Sequence, residues 1–163
     1  MNTKLSARKI AAYFTLLCFL GLSTQSLLAG DDAVTTKVKN GTASTASGEQ
    51  VPAYPGVKEI SSDTMGYVAY SVPVPRKSGE TEVTAQMQKI AEFCEAQYLK
   101  SGRFSASETK YQRMLIAHER INGTMFVWNI AVPLKDGKMN LPEIRKNGIS
   151  FWKVQDYEKK YKD

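Results

Sequence analysis

The chain is short of the side chains that do chemistry. Its 163 residues hold one histidine, His118, and two cysteines, Cys18 and Cys94. A structural zinc site takes three or four nitrogen and sulfur ligands, so no metal site is expected within one chain. Glycine falls only in turns and at helix ends, with no glycine-rich phosphate loop, and no cofactor is expected. Cys18 belongs to an N-terminal leader, described below, which leaves Cys94 alone in the mature chain. A single cysteine closes no internal disulfide, so stability must come from a core.

Charge of one sign is also scarce. The formal net charge is +6, but Lys4, Arg8 and Lys9 precede every acidic residue. Removing the leader turns 22 basic and 16 acidic residues into 19 against 16, a net +3. Basic residues of the mature chain are adjacent only at Arg76-Lys77, Arg145-Lys146 and Lys159-Lys160. With no basic stripe, nucleic acid is not an expected partner.

Only one long apolar run exists. Ile10 to Leu22 is interrupted by Thr15 and Gly21, follows the positive Lys4, Arg8 and Lys9, and leads to small residues ending at Ala29-Gly30. Residues 1–30 therefore read as a secretory signal peptide. Cleavage after Ala29 leaves the large Leu27 three residues back; cleavage after Ser26, with Thr24 three back, is the rival. Leu17 before Cys18 is too large for a lipid-attachment cysteine. The run is shorter than a typical membrane span, so the processed protein is expected to be exported, periplasmic or secreted, with no membrane contact. The alternative is an envelope protein tethered by an uncleaved leader. Residues 31–62, rich in Thr, Ser, Gly and Ala, read as a disordered linker. A single domain is expected over 63–157, followed by a charged tail over 158–163.

What the domain does have is a legible hairpin at Lys110–Leu134. Two runs rich in β-branched and aromatic residues flank Asn122-Gly123, the pair a two-residue type I′ turn favours. Pairing Ile121 with Thr124 puts Glu119 opposite Phe126, Ala117 opposite Trp128, Leu115 opposite Ile130 and Arg113 opposite Val132. One face then carries Phe126, Trp128, Ile130, Val132, Leu134, Leu115 and Ala117, a core face. The other mixes Met114, Ile116, Met125, Val127 and Ala131 with Gln112, His118, Arg120 and Asn129. A sheet face turned to water should be polar. This one calls for a cover: a later segment of the chain, a second copy, or a ligand.

The remaining elements follow from periodicity. Met65–Val74 alternates as a strand, with Pro73 and Pro75 placing its end at an edge or outside the sheet. Glu80–Ser101 reads as a helix with Val83, Met87, Ile90, Ala91, Cys94 and Tyr98 on one stripe, and Gly102 as its C-terminal cap. Asn140–Gly148 reads as a short helix and Ile149–Val154 as a last strand. The expected fold is α+β, one long helix on an antiparallel sheet of about four strands, in the order β-α-β-β-(short α)-β. That order is compatible with a wrapped sheet of the cystatin or NTF2 kind, or a reduced ferredoxin-like sandwich. The analogy is one of element order and carries no function.

Cys94, His118 and Asn129 occur in the nucleophile, base, orienter order of thiol hydrolases. Yet Cys94 lies mid-helix on the stripe facing Trp128, on the opposite side of the sheet from His118, so no catalytic residue is assigned. Glu92 and Glu95 point off the stripe into solvent, and Glu119 falls beside Phe126 at the wet end of the hairpin. Asn40-Gly41-Thr42 and Asn122-Gly123-Thr124 match the N-glycosylation pattern. The expectation is a small exported binding module, non-enzymatic, that uses Met114, Ile116, His118, Arg120, Val127 and Asn129. Its partner is an unknown protein, a small ligand or a second copy. The alternative is a small wrapped-sheet enzyme or thiol hydrolase using Cys94 and His118.

Overall fold

The computed structural model describes residues 32–156; the assigned leader and the charged tail lie outside the described residues. The chain runs β1 (Val34–Lys37), β2 (Thr42–Ser44), β3 (Gln50–Pro52), β4 (Glu59–Ser62), β5 (Val68–Val72), α1 (Glu80–Tyr98) and β6 (Ser105–Glu108). It continues through β7 (Gln112–Ile121), β8 (Thr124–Lys135), β9 (Lys138–Met139), α2 (Leu141–Asn147) and β10 (Ile149–Val154).

The hairpin of β7 and β8 has the register its turn dictates. Ile121 pairs with Thr124, Ala117 with Trp128 and Leu115 with Ile130. Asn122 and Gly123 both take positive φ, 50° and 83°, as a type I′ turn requires. Around this hairpin the sheet is larger than expected. Eight antiparallel strands follow the order β1-β4-β5-β10-β8-β7-β6, with β9 paired to β8, and β2 and β3 form a separate two-stranded sheet.

The expected four-stranded sheet under one long helix is therefore wrong: the protein is mostly β. The error lies largely in residues 31–62, read as a disordered linker. They form β1 to β4. β2, β3 and β4 each bury one apolar side chain, Ala43, Val51 and Ile60, and the loop between β3 and β4 adds Ala53 and Val57, while β1 buries none. Asn40 and Gly41 take φ of 52° and 78°, and Lys39 and Thr42 exchange both backbone bonds across them. The same dipeptide that makes the central hairpin makes this one. The other missed strand is β6, whose Ser-Ala-Ser-Glu sequence has no apolar alternation and is held by its pairing with β7.

The helix α1 starts where it was read and ends three residues early. Glu82 accepts a hydrogen bond from the Gly79 N–H at 2.9 Å, half of a capping box. At the other end Leu99 is extended, and the next two backbone N–H groups, of Lys100 and Ser101, donate to the Glu119 carboxylate at 2.9 and 2.8 Å. Glu119 therefore takes the donors out of the helix, and Gly102 is not its cap. After α2, Gly148 has φ 81°, and a side chain there would meet the Val72 carbonyl at 2.5 Å.

Both described helices lie on one side of the sheet. Val83, Met87, Ile90, Ala91 and Cys94 of α1 and Ile144 of α2 join Val68, Tyr70, Trp128, Ile130, Val132 and Phe151 in the main core. The β2–β3 hairpin closes one end of it. The Tyr98 hydroxyl donates to the Pro52 carbonyl, and Tyr54 meets Phe93 edge-on at 5.4 Å.

Candidate functional site

The sheet face away from the helices is the candidate. Antiparallel pairing lines its side chains up in rows. Ile116, Asn129, Trp152 and Ala69 are successive partners across β7, β8, β10 and β5. The next row holds Met114, Ala131, Ser150 and Ser71, and the row on the other side holds His118, Val127 and Val154. Tyr67, Ala69, Met114, Val127, Ala131, Trp152 and Val154 form a second apolar cluster, with half-buried Ile116 and Met125 against it. Every one of these residues belongs to the sheet or its adjoining loop. Neither described helix contributes.

The six predicted residues sit on this face and differ in exposure. Met114, Val127 and Asn129 are buried, Ile116 is half-buried, and His118 and Arg120 are exposed. Arg120 donates from its guanidinium to the Gly123 carbonyl at 2.8 Å, which ties it to the hairpin turn. His118 stands at the rim, one row from Asn129.

Asn129 is the odd residue. It is 0 % exposed at the middle of an apolar cluster, and neither its Oδ1 nor its Nδ2 has a hydrogen-bond partner. A buried polar group left so costs about 1–3 kcal/mol. On the helix side the Tyr70 hydroxyl and the Trp128 indole N–H are also without partners. Those are single polar atoms on large rings whose burial offsets the loss. Asparagine has no apolar bulk to offset a whole unpaired carboxamide. Two donor hydrogens and an acceptor are therefore unmatched on the face away from the described helices.

Cys94 and His118 are not brought together. Cys94 is fully buried in the helix-side core, and His118 is exposed on the opposite face. Burial pushes the Cys94 thiol up to about 12, the reverse of what a nucleophile needs. Glu119 is held below the usual carboxylate range, chiefly by the Lys100 N–H it accepts. Among the described residues, no group of three or more His, Cys, Asp or Glu is placed to hold a metal ion. No described helix is long and apolar enough to cross a membrane. A groove of about 380 Å³ beside the N-terminal half of α1, lined by Pro75, Lys77, Glu82 and Lys89 among others, contains none of the predicted residues.

Reading the hairpin alone missed Tyr67, Ala69, Trp152 and Val154. Each lies in a segment already legible as a strand, and alternation fixes that Trp152 and Val154 share one side. What sequence does not give is strand order. Only the placement of β10 between β5 and β8 brings Trp152 beside Asn129. No known family, no curated protein and no solved structure matches the chain.

Proposed function

We propose that the protein is an exported binding module, non-enzymatic, whose contact surface is the sheet face of Met114, Ile116, Val127 and Asn129, rimmed by His118 and Arg120. The observation that carries this reading is the unpaired Asn129 carboxamide at the centre of an apolar cluster to which neither described helix contributes. An apolar surface gives such a face its affinity, and one central polar group gives it register. Met114 and Met125 add side chains that adapt to a partner's shape. Export, to the periplasm or outside the cell, rests on the leader pattern of residues 1–30. The occupant of the face is a protein surface, a small ligand or a second copy.

Light scattering and binding of an apolar dye to the leader-free chain test the reading. The expected result is concentration-dependent association or dye binding, both lost in Met114→Glu while the far-ultraviolet circular dichroism is unchanged. A monomer at every concentration that binds no dye overturns it.

A further inference from the structure

We propose that Asn40 and Asn122 are sites of spontaneous deamidation, and that Asn147 is protected although it too precedes a glycine. The inference concerns two hairpin turns and holds whether or not the sheet face binds a partner.

The reaction needs water and no enzyme. The backbone nitrogen of the residue after an asparagine loses its proton and attacks the side-chain Cγ. A new N–C bond closes a five-membered succinimide. The carboxamide nitrogen leaves as ammonia, carrying a proton in place of the one lost. Water then opens the ring. Addition at one carbonyl gives aspartate; addition at the other gives isoaspartate, whose main chain runs through the former side chain. The attacking nitrogen must be unhindered, and glycine brings no side chain to obstruct it.

The chain holds three Asn-Gly pairs, at 40–41, 122–123 and 147–148. All three asparagines are exposed, so access to the carboxamide does not separate them. Their glycines do. Gly41 and Gly123 are the second central residues of their turns, with φ of 78° and 83°, and a side chain at either would meet nothing within 4 Å. Among the described residues neither of their N–H groups has a hydrogen-bond partner. Gly148 differs on both counts. Its N–H donates to the Ile144 carbonyl at 2.7 Å, which closes the end of α2, and a side chain there would meet the Val72 carbonyl at 2.5 Å. Its nitrogen is engaged by the helix and hemmed in by β5.

The turns also rank the two sites. To react, the Asn-Gly peptide must swing out of its turn. At Asn40 the swing breaks the 2.9 Å bond from the Ala53 N–H to the Gly41 carbonyl, and Ala53 is buried. At Asn122 it breaks the bond from the exposed Arg120 guanidinium to the Gly123 carbonyl, which water replaces readily. Asn122 therefore reacts first. The two products differ in consequence. Aspartate keeps the hairpin, because Asp-Gly suits the same turn; Asp136 and Gly137 already make one between Lys135 and Lys138, with φ of 52° and 75°. Isoaspartate adds a main-chain atom to a two-residue loop, and the pairing of Ile121 with Thr124 depends on that length.

The test holds the whole 163-residue chain at pH 8, once in native buffer and once in concentrated urea. Samples taken over time are digested at low pH, where the reaction is slow, and read by mass spectrometry. Each conversion makes its peptide one mass unit heavier, and electron-transfer fragmentation separates aspartate from isoaspartate. In native buffer the expected order is Asn122, then Asn40, then Asn147, with Asn122 several-fold faster than Asn147. In urea the three rates should converge, because the dipeptide is the same and the fold is gone. Asn40 ahead of Asn122 supports both sites and overturns their order. Asn147 converting as fast as Asn122 in native buffer overturns the protection assigned to the end of α2. Conversion at Asn40 and Asn122 that appears only in urea overturns the proposal, because the turns themselves then hold the asparagines away from attack.

Discussion

The two faces of the sheet use similar residue types to different ends. On the helix side, Val83, Met87, Ile90, Ala91 and Cys94 project from α1 onto Tyr70, Trp128, Ile130 and Phe151. Its polar margins are tied down. Lys153 is only 6 % exposed, yet its ammonium lies 3.7 Å from Glu49 and over the rings of Tyr98 and Phe126 at 5.8 and 5.6 Å. On the other side, Met114, Val127, Trp152 and Val154 are as apolar but meet no described helix, and a carboxamide sits among them unpaired. A finished core and a contact surface are thus told apart by what lies over them. Hydrophobicity alone does not separate them.

Truncation is the harshest way to break that comparison. Ile130→Ala on the helix side should cost about 2–5 kcal/mol, because packed neighbours cannot fill the space. Met114→Ala on the other face should cost less, about 1 kcal/mol, in the leader-free protein. Urea unfolding of the two variants measures both. Similar losses would make the second face an ordinary core.

High pH attacks the helix side. Unfolded Cys94 ionises near 9.0, whereas burial holds the native thiol up to about 12. Between those values the native state binds more protons than the unfolded one, so stability falls as pH rises. The slope is about 1.4 kcal/mol per pH unit at most from this one group. Burial also raises Tyr70 and Tyr98, which push the same way at still higher pH. Urea midpoints from pH 8 to 11 should fall, and less steeply in Cys94→Ala. Ellman's reagent should leave native Cys94 unmodified at pH 8 and label it after denaturation.

Asn129→Leu should separate the faces by sign. Removing an unpaired carboxamide from an apolar cluster should stabilise the full chain by about 1–3 kcal/mol, whereas truncations in the helix-side core destabilise it. The same variant should bind the partner more weakly, since the polar group that sets register is gone. Thermal unfolding gives the first result, and the association measured by light scattering gives the second. A destabilised Asn129→Leu would mean that the amide is satisfied.

The central hairpin was legible because three local signals agree: the Asn122-Gly123 turn, period-two alternation, and aromatic and β-branched strands. The stripe of α1 was legible for the same reason. Residues 34–62 carry only one of those signals, Asn40-Gly41, and there the pair was read as part of a glycosylation pattern. Their strands are three or four residues long, too short for alternation to rise above composition. β1 is held by pairing with β4 and β4 by pairing with β5, while Pro52 and Tyr54 meet Tyr98 and Phe93 of α1, contacts that are distant in sequence. The predicted face was visible from the hairpin register, but its extent was not, since Trp152 and Ala69 join it only through strand order. Asn129 could be named; that it is buried and unpaired could not.

Glu119 marks where the matched side ends, and gives the smallest expected effect. Its position on the core face beside Phe126 is what the register requires, at the wet end of the hairpin. It accepts from Lys100 N–H, Ser101 N–H and the Ser101 hydroxyl at 2.9, 2.8 and 3.1 Å, which ends α1 and joins it to β7. The same bonds, that of Lys100 first, hold its pKa below the usual value. A carboxyl with a lowered native pKa contributes stability above its unfolded value, near 4.5, and loses it as pH falls through the native value. Glu119→Gln keeps the shape and one acceptor but not the charge. It should cost about 1 kcal/mol at pH 7, within the range for bonds to a charged acceptor. The gap between the variant and the unaltered protein should narrow as pH falls through the lowered native value of Glu119. Urea midpoints at pH 7 and at pH 3.5 measure it. A gap that persists at low pH would assign the loss to packing against Phe126, and the end of the helix would then owe nothing to charge.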